Sequence, residues 1–91
     1  MPYIDQLQRQ RLHRITDAIR DEHLDSAGEI NYLCSVIVLE YIKQKDLTYR
    51  TINDAIGALE CAKLELYRRL AVPYEETKII ANGDIYKGAT Q

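Results

Sequence analysis

The 91-residue chain contains 46% hydrophobic and 29% charged residues and has a formal net charge of −2 at pH 7. This composition excludes an intrinsically disordered chain, and the weak negative charge excludes non-specific attraction to nucleic acid or to anionic lipid. A chain of this length forms one domain with a modest core, which oligomerisation commonly supplements. All seven aromatic residues are tyrosines, which suit half-buried and interface positions.

The chain lacks the apolar segments that are typical of membrane and secreted proteins. It has no run of about 18 apolar residues, and its first residues, MPYIDQLQRQR, contain no apolar signal-peptide core. We therefore expect a cytoplasmic protein in which Cys34 and Cys61 stay reduced. Neither these cysteines nor His13 and His23 have paired ligand spacing, so we expect no metal site and no cofactor.

The first predicted helix spans residues 5–22. Asp5 and Gln8 have the spacing of a capping box at its start. Its apolar residues recur at helical spacing along one side, and they are Ile4, Leu7, Leu12, Ile15, Ala18 and Ile19. The opposite side carries a mixture of arginine and aspartate (Arg9, Arg20, Asp17 and Asp21), which is typical of a solvated helix face.

The second predicted helix, residues 27–45, is apolar on nearly all sides. Ser26 and Glu29 form a capping box at its start. Its apolar residues cover two sides, with Ile30, Cys34, Ile37, Val38 and Tyr41 on one and Tyr32, Leu33, Val36 and Leu39 on the other. Such a helix must be buried nearly all round, and two partner helices of one short chain cannot cover it. We therefore expect a homo-oligomer, a dimer or higher, that closes over this helix.

The third predicted helix spans residues 49–72, and a shorter helix over 74–82 follows it. Thr48 caps the third helix. Its apolar stripe consists of Ile52, Ala55, Ile56, Leu59, Ala62, Leu66 and Leu70, and Pro73 interrupts it. After Pro73, PYEETKIIANG indicates a short helix that ends at Asn82-Gly83. A β-hairpin over 78–87 through the same Asn-Gly turn is the alternative.

These elements predict an all-α fold in one helical domain over residues 1–91, with a tail at 84–91. The short connections favour a three-helix up-down-up bundle with a kink or a short extra helix after Pro73. Dimerisation is expected through the second helix.

One residue is unusual in this pattern, because Lys63 falls within the apolar stripe of the third helix. In a hairpin of the second and third helices, Lys63 lies level with Asn31, near Glu29 and one turn from Glu60, which predicts a polar layer. Charges buried there must pair, reach water or meet a ligand. Three interpretations stay open: Lys63 meets Glu60 at the surface, the layer fixes helix register or subunit pairing, or it belongs to a binding site.

The binding-site interpretation extends to the end of the third helix. That helix is about 36 Å long against about 28 Å for the second, so its last turn projects beyond its neighbour. The predicted ligand-binding residues are Lys63, Tyr67, Arg68, Arg69, Asn31 and Tyr32. Arginine can hold a phosphate through forked hydrogen bonds and tyrosine can stack on a base, which predicts an anionic, phosphorylated ligand. The helix dipole alone also favours arginine at this end.

The stretch LTYRTINDAIGALECAKLELYRRLAVPYEETKIIANGDIY, with AGEINYLC and the MPYI start, resembles a family of small uncharacterised proteins encoded by bacteriophages and bacterial genomes. The resemblance covers nearly the whole chain. It implies a phage or prophage origin and a location inside a bacterial cell, but no activity and no catalytic residue. Small phage proteins often act by binding a host component, including nucleotide signals of host defence. This expectation follows from the origin that the resemblance implies and from no residue of the chain.

Three functions therefore compete. The first is a non-enzymatic oligomeric binding protein that sequesters an anionic nucleotide-type signal, and the second is an interaction module that inhibits or regulates a host or phage protein. The third is an enzyme similar to helical nucleotide pyrophosphohydrolases, which would need several carboxylates converging on Mg²⁺. Glu60 and Glu29 are a thin pair for that chemistry, and there is no glycine-rich phosphate loop. We therefore expect no enzyme and no catalytic residues.

Overall fold

The computed structural model describes residues 4–89 of the chain. Its helices are α1 (Gln6–Arg11), α2 (His13–Asp21), α3 (Ala27–Lys45), α4 (Tyr49–Leu66) and α5 (Val72–Asn82), with a π-helical segment at Tyr67–Ala71. Residues 4–89 contain no β-strand, so the predicted all-α class is confirmed and 78–87 do not form a hairpin. None of these helices combines the length and the apolarity that crossing a bilayer requires. The chain divides into two compact units, Met1–Ala55 and Ile56–Gln91.

The segment predicted as one helix over 5–22 is interrupted at Leu12. Its start has the expected capping box, in which Gln8 N donates to Asp5 Oδ1 at 2.9 Å and Asp5 N donates to Gln8 Oε1 at 3.1 Å. Leu12 leaves the helical conformation, with φ −97° and ψ 3°, and its N–H donates to the Arg9 carbonyl at 3.1 Å. The helix restarts at His13. Neither proline nor glycine marks this position, so the sequence has no usual signal for the interruption.

The starts of α3 and α4 are stabilised by side chains that the sequence places there. Ser26 Oγ accepts from the Glu29 N–H at 3.3 Å, and the Glu29 carboxylate accepts from the Asp25 N–H at 2.5 Å. Three residues after the end of α3, Thr48 Oγ1 accepts from the Thr51 N–H at 3.2 Å. Ser26 and Thr48 thus each accept from an N–H in the first turn of the helix that follows, as N-cap residues do.

A π-helical segment accommodates Pro73 without ending the helix. Proline has no N–H and its ring clashes with the carbonyl four residues earlier, which here belongs to Arg69. The Val72 N–H instead bonds to the Tyr67 carbonyl, five residues back, as in a π-helix. α5 then has Pro73 in its first turn and ends at Gly83, whose φ of 93° suits glycine. The interruption that the sequence predicted at Pro73 is therefore a local change from α-helical to π-helical hydrogen bonding.

Burial is sparse in both units. Among the described residues only Ala55 is buried, with 6% of its surface exposed. In the first unit the half-buried residues are Leu12, Leu33, Cys34, Val38, Tyr41, Ile42, Thr51 and Ile52, most of which flank the connection at 46–48. In the second unit only Glu65 and Ala71 are half-buried among the residues described. Large apolar side chains stay exposed on every helix, and neither unit closes a core of its own, so the predicted three-helix bundle is not confirmed.

Candidate functional site

Lys63 forms an ion pair on the surface of α4. Its Nζ lies 3.1 Å from Glu60 Oε2, one turn earlier, and the two side chains are 68% and 52% exposed. Exposed pairs of this kind contribute about 0–1 kcal/mol, because water competes for both charges. The geometry matches the interpretation in which Lys63 meets Glu60 near the surface, and neither charge is buried.

Arg68 and Arg69 lie in the π-helical segment and share one carboxylate. Arg68 Nη2 is 2.6 Å from Glu65 Oε1, and Arg69 Nη1 is 3.3 Å from Glu65 Oε2. The Glu65 side chain is only 29% exposed, whereas both arginine side chains are largely exposed. The segment therefore gathers two guanidinium groups around one half-buried carboxylate, and an anionic ligand would have to compete with Glu65 for them.

Glu65 is the member of this cluster that the sequence analysis missed. Its spacing of three and four residues to Arg68 and Arg69 is visible in ELYRR, and side chains at that spacing are neighbours on a helix. The sequence therefore contains the spacing that predicts these two ion pairs. A carboxylate in this position indicates that the arginines have a local structural partner, whatever else they bind.

Tyr67 lies beside an open groove in the second unit. The groove has a volume of about 520 Å³ and is lined by Tyr67, Glu75, Lys78, Ile79, Asn82, Gly83, Asp84, Ile85 and Tyr86. Its one ammonium group, on Lys78, lies 5.4 Å from the centroid of the Tyr74 ring in a cation–π contact. Two carboxylates share this groove with one cation, so its charge does not favour an anion. The other predicted cations, from Lys63 to Arg69, do not line it.

The remaining predicted residues lie on α3, in the first unit. Asn31 and Tyr32 are both exposed, and their role in a ligand site stays a prediction. Glu29, which we placed in a polar layer, accepts a hydrogen bond from the Asp25 N–H. That carboxylate therefore has a local role in capping α3.

Within residues 4–89, no group of three or more His, Cys, Asp or Glu side chains is arranged to hold a metal ion. Cys34 is half-buried and Cys61 exposed, and both are free thiols. The surfaces that the described residues offer include exposed apolar helix faces and exposed charged side chains of both signs. Such side chains can form apolar contacts and ion pairs.

A family model with the description Domain of unknown function (DUF6899) matches residues 1–85. This match confirms that the chain is similar to a family without an assigned function. No curated protein and no solved structure is detectably similar to the chain.

Proposed function

Because the chain belongs to the DUF6899 family, whose function is unknown, we propose from its own residues that it is a non-enzymatic binding protein that works as a homo-oligomer. The observation that supports this proposal is the sparse burial: among the described residues, only Ala55 is buried. The first unit leaves apolar side chains exposed on α1, α2 and α3, and these include Leu7, Ile15, Ile19, Ile30, Val36, Ile37 and Leu39.

A small number of buried apolar side chains can decide whether a domain is stable. Full burial of one Leu or Ile side chain contributes about 1.5–3 kcal/mol, while a whole domain is stable by only about 5–15 kcal/mol. Isolated helices shorter than about 12–15 residues are marginal in water. Covering a few of the exposed apolar residues in a subunit contact is therefore enough to decide whether the helices stay folded.

We assign the subunit contact to α3. Tyr32, Val36 and Leu39 recur after four and three residues, so they lie along one side of the helix, and they are 67%, 38% and 56% exposed. On the other side Cys34 and Val38 are half-buried, whereas Ile30 and Ile37 are exposed. A two-fold axis would pair the exposed side with itself in a second copy. In that assembly the chain would adopt the three-helix up-down-up arrangement.

Light scattering tests the assembly directly. At tens of micromolar the protein should be a dimer or a larger oligomer, and its Tm should rise with protein concentration, because association stabilises the folded state. A monodisperse, cooperatively folded monomer would contradict the proposal. That outcome would favour the alternative in which the apolar side of α3 docks on a host or phage protein.

A second candidate function is the capture of an anionic, phosphorylated ligand. It draws support from Lys63, Arg68 and Arg69, whose cationic side chains lie close together in sequence and are 68%, 71% and 65% exposed. The resemblance to phage and bacterial proteins implies a bacterial cell. There the ligand would be a nucleotide-type signal of host defence, which the protein would sequester.

Thermal-shift measurements with a panel of nucleotides and cyclic nucleotides test this second candidate. A bound ligand should raise the Tm. Arg68→Ala or Arg69→Ala should weaken its binding by about 1–3 kcal/mol, the range for hydrogen bonds to charged groups, without a change in circular dichroism. A flat response across the whole panel would count against the candidate.

A further inference from the structure

α1 and α2 line an open groove in the first unit. The groove has a volume of about 360 Å³ and is lined by Ile4, Arg9, Gln10, Leu12, His13, Thr16 and Arg20. Arg9 lies on α1, whereas His13 and Arg20 lie on α2. The interruption at Leu12 therefore lies between Arg9 on one side and His13 and Arg20 on the other. Its volume lies within the range of about 300–1,000 Å³ that is typical of small-molecule sites.

The groove is cationic. It contains the guanidinium groups of Arg9 and Arg20, and no carboxylate is among the described residues that line it. Arg20 Nη1 does lie 3.0 Å from Asp17 Oδ1, outside the groove, in a pair whose side chains are both largely exposed. Because an exposed pair contributes little, an incoming anion can compete with Asp17 for this arginine.

The main chain fixes the ring of His13. Its Nδ1 lies 2.5 Å from the Gln10 carbonyl oxygen. A carbonyl can only accept, so Nδ1 carries the hydrogen and Nε2 is left for another partner. The next turn is tied to the same residue, because Thr16 Oγ1 donates to the His13 carbonyl at 3.2 Å. The bond to Gln10 thus orients the His13 ring, and His13 lines the same groove as the two arginines.

We propose that this groove binds a small phosphate-bearing molecule. Arg9 and Arg20 contact the phosphate, whose geometry matches the guanidinium fork, and His13 lies beside them. Ile4 and Leu12 supply apolar contact for the remainder of the ligand. The residues that line the site all lie between Ile4 and Arg20, so the site shares no residue with the cluster on α4 and the π-helical segment and goes beyond the function proposed above.

Calorimetric titration with inorganic pyrophosphate at fixed ionic strength tests the site. Arg9→Ala combined with Arg20→Ala should raise the Kd at least about tenfold, because two charge-assisted contacts are lost. The matched control combines Arg11→Ala with Arg14→Ala, which removes the same charge from the same two helices outside the groove. It should change the Kd by less than about threefold, since salt screens distant exposed charges.

Several outcomes would overturn the proposal. One is an equal loss of affinity in the two double variants, and another is no binding by the unmodified protein at millimolar pyrophosphate. A third is a loss confined to Arg68→Ala with Arg69→Ala, which would assign the binding to the other cluster.

Arg9→Ala alone separates a loss of binding from misfolding, because it leaves the pair between Arg20 and Asp17 intact. It should still weaken binding several-fold with an unchanged circular dichroism spectrum, and unchanged binding would also overturn the proposal.

The two histidines provide a local readout within the same sample. Pyrophosphate should shift the ring resonances of His13 in NMR spectra. Those of His23, whose Nε2 lies 2.6 Å from Asp25 Oδ1 and which does not line the groove, should stay in place. Arg9→Ala with Arg20→Ala should abolish the His13 shift. Equal shifts of both rings, or a shift of His23 alone, would overturn the assignment of the site.

Discussion

α3 and the second half of α4 each carry side chains that need a partner, apolar ones on α3 and a charged one on α4. The apolar residues Tyr32, Val36 and Leu39 of α3 are exposed to solvent. Lys63 falls within an apolar stripe of α4, yet its ammonium group reaches Glu60 at 3.1 Å on the same helix. A charge is satisfied by a neighbour one turn away or by water, whereas apolar surface needs another surface. The comparison favours α3 over Lys63 as the place of the proposed subunit contact.

The largest expected effect is that of a charge placed on the exposed side of α3. Leu39→Glu should dissociate the oligomer or unfold it, because a carboxylate in an apolar contact costs several kcal/mol. Light scattering and thermal melting measure the two outcomes. Gln44→Glu is the matched control, since it adds the same charge to the same helix at an exposed polar position. If both variants keep the oligomer, α3 does not form the contact and the comparison fails.

A smaller effect is expected where a carboxylate on α4 is half-buried. Glu65→Gln should lower the free energy of unfolding by about 1 kcal/mol, because it weakens charge-assisted bonds from Arg68 and Arg69. Glu60→Gln, at a more exposed carboxylate, should change it by less than about 0.5 kcal/mol. Urea unfolding of the two variants measures the difference. Equal losses would mean that burial does not set the strength of these pairs.

The parts of the fold that the sequence predicted are those that depend on nearby residues. The cap at Asp5 and its partner Gln8, and the cap at Ser26 and its partner Glu29, are each three residues apart. The altered hydrogen bond beside Pro73 runs from the Val72 N–H to the Tyr67 carbonyl, six residues before the proline. Such signals involve only residues that are close in sequence, so the sequence alone contains them.

The other parts of the fold depend on residues that are far apart in sequence, or on small energy differences between similar backbone conformations. The interruption at Leu12 has no glycine or proline to mark it. The polar layer around Lys63 stays a prediction, because it requires a register between two helices, whereas the ion pair between Lys63 and Glu60 needs only neighbours on one helix. The expected coverage of α3 by a second copy also stays a prediction, because it depends on a partner surface that lies outside any one turn of helix.

The smallest expected effect separates the interpretations of Lys63. Lys63→Met should leave the free energy of unfolding within about 0.5 kcal/mol of the original value, because an exposed pair is worth little and methionine is a good helix former of similar length.

Lys43→Met provides the matched control, since Lys43 Nζ lies 3.3 Å from Glu40 Oε2 at the same spacing and with similar exposure. Urea unfolding of the two variants should give equally small changes. A loss of several kcal/mol for Lys63→Met alone would show that Glu60 becomes a buried, unpaired charge and that the pair belongs to a structural layer in the assembled protein. Unchanged stability with lost nucleotide binding would instead assign Lys63 to a ligand site. Small changes in the free energy of unfolding of both variants, with nucleotide binding kept, would mean that Lys63 is an ordinary solvated charge on the exposed surface of α4.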